Sequence, residues 1–80
     1  MNRNEILENI ENIFKELFDD ELLRLTEETT AKDLADWDSL MHIKIMTTIE
    51  MEFCIKFEME DIFNVKKVGD IITLILNCSK

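Results

Sequence analysis

The side chains able to do chemistry in this 80-residue chain are few, and they gather in one short stretch. His42 is the only histidine, and Asp38 and Ser39 stand close before it. A nucleophile, a base and an orienting acid could be drawn from Ser39, His42 and Asp38. As sequence neighbours at one exposed helix start they bring no evident oxyanion donors and no water-excluding pocket, so they do not make a catalytic triad. His42 reads instead as a helix residue at the edge of the core, against Trp37. Asp36 and Asp38 alternate as they would in a calcium loop. Counted from Asp36, however, the turn-glycine position holds Met41 and the bidentate-glutamate position holds Thr47, so no hard-cation site is expected. Cys54 and Cys78, the only cysteines, lack the close pairing of a zinc or redox motif. Two reduced thiols are expected, with a disulfide as the alternative. These residues argue against an enzyme and against a bound metal.

Ser39 remains. A hydroxyl at an exposed helix start is accessible to a modifying enzyme, and helix N-termini accommodate phosphate. Asp-Ser before a helix is also ordinary capping chemistry, in which a side-chain oxygen accepts from the free N–H groups of the first turn. The tripeptide Asp38-Ser39-Leu40 alone does not separate the two readings.

The elements that must present this stretch are helical. Proline is absent and Gly69 is the only glycine, so tight hairpins have little material. From about Asn4, Ile6, Ile10, Ile13, Phe14 and Leu17 recur at helical spacing and predict a first helix. Asp19 to Asp38 is polar and weakly periodic, a long connection with Leu22, Leu23, Leu25 and Leu34 as its apolar anchors; Leu25 and Leu34 should pin it to the core. A second helix should begin at Asp38 or Ser39 and end near Phe53. His42, Ile45, Met46, Ile49 and Phe53 share one of its arcs, and Leu40, Lys44, Thr47 and Met51 the other. A short acidic helical turn is expected around Met59 to Asn64, with Ile62 and Val65 facing in, and a last, largely buried helix from about Val68 to Asn77. Met46 and Met59 read as adaptable core or edge residues.

One domain spanning residues 1–80 suits this length, with a small core and no deep enclosed site. Nine basic against eighteen acidic side chains give a net charge of -9, which repels nucleic acid and anionic membranes and favours transient docking to proteins with basic patches. No apolar run has the length of a membrane span and the N-terminus is unlike a signal peptide, so a cytoplasmic monomer is expected.

Taken in order, Asp33-Leu34, Asp38-Ser39-Leu40 after a long loop, Ile49-Glu50-Met51-Glu52-Phe53, Ile55, Phe57 and Val68-Gly69-Asp70 resemble the acyl carrier protein family along essentially the whole chain. The resemblance implies an all-α, four-helix bundle with a long loop between helices 1 and 2 and a short third helix. It also implies a 4'-phosphopantetheine arm on Ser39, donated from coenzyme A by a phosphopantetheinyl transferase, with cargo carried as a thioester between acyl-loading and acyl-processing enzymes. Asp38 would dock that transferase or its magnesium, or else serve only as the helix cap. Leu40, Met41, Lys44, Thr47 and Met51 would contact partners, or else be ordinary exposed residues. A medium-length acyl cargo would slip between helices along Ile43, Met46, Ile62 and Ile71.

Some residues depart from the family's pattern. Trp37 stands where many members serving fatty acid synthesis have a small residue, Met41 and Lys44 occupy positions often acidic there, and Cys54 replaces a frequent glycine. The Trp-Asp-Ser-Leu form resembles discrete carriers of specialised, polyketide or non-ribosomal-type pathways. An aminoacyl or D-alanyl carrier, and an unmodified acidic helical adaptor, stay open as alternatives.

Overall fold

The structure, a computed structural model, describes residues 2–78. It contains α1 (Arg3–Leu17), α2 (Ser39–Phe53), α3 (Met59–Asn64) and α4 (Val68–Cys78), and among the described residues the only β pairing is an isolated antiparallel bridge between Thr30 and Lys67. This is the expected all-α bundle, with each helix boundary within a residue of its sequence assignment.

Local chemistry explains the ends. The Asn2 side chain accepts from the Glu5 N–H at 2.9 Å and starts α1. Asp19, in the left-handed region with φ 52°, closes α1: the N–H groups of Asp19 and Asp20 return to the carbonyls of Glu16 and Lys15, satisfying acceptors that the helix end leaves free. α2 ends the same way at Cys54, φ 55°, with Ile55 N–H bonded to the Glu50 carbonyl at 3.0 Å. A left-handed residue favours glycine because a Cβ crowds the backbone there. That explains physically why a glycine suits this position and a cysteine strains it.

The core joins Ile6, Ile10 and Phe14 of α1 to Ile45, Met46 and Ile49 of α2 and Ile71, Ile72 and Ile75 of α4, all fully buried. Phe14 is its aromatic hinge, stacked on Phe18 and meeting Trp37 edge-on at 5.2 Å. α3 buries no residue completely; Ile62 and Val65 pack half-buried against the core.

The long loop has no helix of its own and is held by side-chain turns and by α4. Thr26, Thr29, Thr30 and Asp33 accept from nearby backbone N–H groups. The loop's carbonyls in turn receive the first free N–H groups of α4, Val68 to Thr29 at 2.9 Å and Gly69 to Glu27 at 2.8 Å. So close an approach favours glycine, because a Cβ at residue 69 would stand 3.0 Å from the Glu27 carbonyl oxygen and the loop would have to give slightly to admit it. Arg3 fastens the same junction, with its guanidinium bonded to both Glu27 carboxylate oxygens, the Gly69 carbonyl and the Thr73 hydroxyl. The hydrogen bond to Arg3, aided by its charge, holds the Glu27 carboxyl below its ordinary range against the opposing effect of burial.

Three sequence expectations, for Leu22, Met59 and Ile43, need correction. Leu22 is not an anchor: it is 86% exposed, because it sits in a turn whose Leu22 and Leu23 N–H groups bond back to Asp20, and that turn sends Leu22 outward while Leu23 and Leu25 are buried. Leu34, half-buried, does pack against the core as expected. Met59 is exposed rather than at a packed edge, and Ile43 is 45% exposed rather than lining an interior path. Phe53, in the last turn of α2, is half-buried and packs against the core on the arc assigned to it.

Candidate functional site

Asp38 precedes α2 with extended backbone, φ −102° and ψ −173°, and its Oδ1 accepts from the Met41 N–H at 2.8 Å. Its carbonyl accepts the His42 N–H at 2.8 Å, the first bond of the helix. Ser39 is the first helical residue and is exposed. Among the described residues no side-chain hydrogen bond engages its hydroxyl. The cap therefore orders the backbone around Ser39 and leaves its hydroxyl free.

Trp37, two residues earlier, is buried against Phe14. Its indole N–H donates to His42 Nδ1 at 3.0 Å, and the two rings stack at 5.9 Å. His42 Nε2 lies 2.7 Å from the Ile62 carbonyl oxygen of α3. His42 is thus the core-edge residue expected from the sequence, with both ring nitrogens engaged and neither turned to Ser39 as a base.

Beside Ser39 opens a cleft of about 290 Å³ between the loop, α2 and α3, walled by Trp37, His42, Phe63 and Val65 with Lys66 at its side. An exposed hydroxyl at a helix N-terminus, a single cation and apolar walls suit a phosphodiester with a partly apolar tail. Phe63, Val65 and Lys66 were not singled out for this role from the sequence. Phe63, an aromatic residue in a short acidic helix close to the motif in the fold, is the one signal that could have pointed to them.

The residues expected to meet partners divide. Leu40 and Met51, 66% and 76% exposed, lie with exposed Lys44 and Thr47 on the outer side of α2. Met41 is half-buried and packs partly against the core, so it is a shared residue rather than a purely outward one. Leu40, Met41 and Lys44 line a second groove of about 320 Å³ towards Leu17 and Phe18 at the end of α1. Asp38 borders both grooves.

Residues 8–75 match the family described as "Phosphopantetheine attachment site". The fold is similar to the solution structure of the holo acyl carrier protein from Geobacter metallireducens, 36% identical, with a TM-score of 0.84 over 91% of this chain and 84% of that one. It is also similar to the crystal structure of the acyl carrier protein from Thermotoga maritima, 28% identical, with a TM-score of 0.85 over 96% of this chain and 89% of that one. No curated protein matches the chain at a significant level. With a match spanning most of its length, the same four-helix arrangement and a capped helix start that frees one serine, the chain belongs to the phosphopantetheine-binding acyl carrier protein family, whose cofactor is covalently attached phosphopantetheine.

Proposed function

We propose that Ser39 is the attachment residue and that the chain carries thioester-bound acyl intermediates between separate enzymes without catalysing their chemistry itself. The observation that carries this reading is the Ser39 hydroxyl, exposed and unengaged at the first position of a helix capped by Asp38, beside the cleft of Trp37, Phe63 and Lys66. On attachment, Ser39 Oγ forms an ester bond to the phosphorus of coenzyme A's pyrophosphate that bears the pantetheine. The bond from that phosphorus to the bridging oxygen breaks, the nucleotide leaves as 3',5'-ADP, and the serine proton passes to a base of the transferase. The bound arm supplies a terminal thiol that forms the thioester. The helix N-terminus stabilises the phosphodiester, and Lys66 lends the nearest positive charge in the cleft.

Leu40, Lys44, Thr47 and Met51 form the face offered to partner enzymes, with Met41 at its edge. A net charge of -9 steers the chain towards basic docking patches. Trp37 before the motif, and Met41 and Lys44 where acids are frequent, favour a dedicated biosynthetic pathway over housekeeping fatty acid synthesis; aminoacyl and D-alanyl cargoes use the same arm. Among the described residues no helix is long and apolar enough to cross a membrane, and the reading has a single domain acting as a cytoplasmic monomer that docks transiently.

Intact mass after incubation with coenzyme A and a phosphopantetheinyl transferase tests the assignment. Wild type should gain one phosphopantetheinyl group and Ser39→Ala none. An unchanged wild-type mass with competent transferases, or an equal gain in Ser39→Ala, would sink it.

A further inference from the structure

His42 faces the loop on one side and α3 on the other. An indole N–H can only donate, so the 3.0 Å bond from Trp37 makes His42 Nδ1 the bare nitrogen. A carbonyl oxygen can only accept, so the 2.7 Å contact with Ile62 places the ring proton on Nε2. One neutral tautomer satisfies both bonds at once.

The far end of this bridge is the least anchored element of the bundle. α3 has six residues, no side-chain cap and no fully buried residue. The Ile62 carbonyl belongs to its last turn, where backbone acceptors lack intrahelical donors. Among the described residues the bond from His42 is the only side-chain hydrogen bond that reaches α3. Its two ends are also the two sides of the cleft beside Ser39: Trp37 comes from the loop, and Phe63 follows Ile62 on α3.

We propose that His42 is a positioning residue: by tying the loop at Trp37 to α3 at Ile62, it sets the opening of the cleft into which the arm and its transferase must fit. This rests on Ser39 being the attachment residue, and His42 acts through Trp37 and α3 rather than on the reacting atoms.

The test compares the full-length wild type with His42→Leu, which keeps apolar bulk but removes both bonds. It also includes His42→Gln, whose amide can still accept and donate. Ring ¹H–¹⁵N correlations of wild type should show the proton on Nε2 and a hydrogen-bonded, bare Nδ1. In His42→Leu the Trp37 indole N–H and the α3 amides should exchange about tenfold faster while α1 and α4 amides change little. The transferase KM for this variant should rise several-fold at nearly unchanged kcat, and His42→Gln should recover much of both effects. The proposal is overturned by a ring proton on Nδ1, by exchange accelerated equally in α1 and α4, or by a transferase KM for His42→Leu within about twofold of wild type. If wild type itself takes no arm, the Ser39 assignment fails instead, and the ring and exchange data still decide whether His42 holds α3.

Discussion

Asp38 has two separable jobs, because only one of its carboxylate oxygens is used in the fold. Oδ1 caps α2 through the Met41 N–H at 2.8 Å, and among the described residues Oδ2 has no partner. Asp38→Ala removes the cap and the favourable charge at the helix start. The cap is worth about 1 kcal/mol and the charge about 0.3 to 1 kcal/mol. Because the bond is exposed, a total of about 1 to 1.5 kcal/mol is expected. For a domain of this size that corresponds to a fall in Tm of roughly 5 to 10 °C. Asp38→Asn keeps an oxygen for the Met41 N–H and loses only the charge, so its Tm should fall by no more than about half as much. Transferase docking should separate the pair differently. If the second oxygen holds the transferase or its magnesium, Asp38→Asn should lose about tenfold or more in kcat/KM for modification, the scale of one charge-assisted hydrogen bond. Thermal melts and urea titrations report the first effect, and the rate of phosphopantetheinylation reports the second. An Asn variant as unstable as the Ala variant would refute the capping argument; one modified with wild-type efficiency would leave Asp38 as a cap alone.

Ile75 is fully buried whereas Phe53 is half-buried. Ile75→Ala should therefore cost about 2 to 5 kcal/mol in urea unfolding and Phe53→Ala distinctly less; equal losses would contradict the burial pattern. Gly69→Ala places a Cβ against the Glu27 carbonyl oxygen, and the strain should outweigh the gain in helix propensity, leaving a net loss of about 1 kcal/mol. A stabilised Gly69→Ala variant would show that the loop yields easily. Glu27 has its carboxyl depressed by Arg3, so its contribution to stability is complete above the ordinary carboxylate range. That contribution should be lost as pH falls through the lowered folded value. Glu27→Gln should remove this component of the acid-side slope, and an unchanged urea midpoint against pH profile would show that the exposed pair with Arg3 contributes nothing measurable.

Much of the molecule is legible in its residue pattern because helices are encoded locally. Ile6, Ile10, Ile13 and Phe14 define the buried side of α1 and Ile45, Met46 and Ile49 that of α2 through spacing alone. The Asp38 cap, and Ser39 as the first residue of α2, follow from side chains within one helical turn. What required the tertiary structure are contacts between segments far apart in the chain. Leu22 looked like an anchor by composition, and its exposure depends on the turn at Asp20 that leaves Leu23 and Leu25 inside. The grip of Arg3 on Glu27, 24 residues away, and the seat of Gly69 on the Glu27 carbonyl arise only when loop and helices meet. The bond from His42 to Ile62 spans 20 residues and ends on a backbone oxygen, an acceptor that every residue possesses and that no residue type announces. Sequence alone determined which serine stands at the helix start; packing decided what surrounds it, because periodicity records which face of an element is apolar but not which element will cover it.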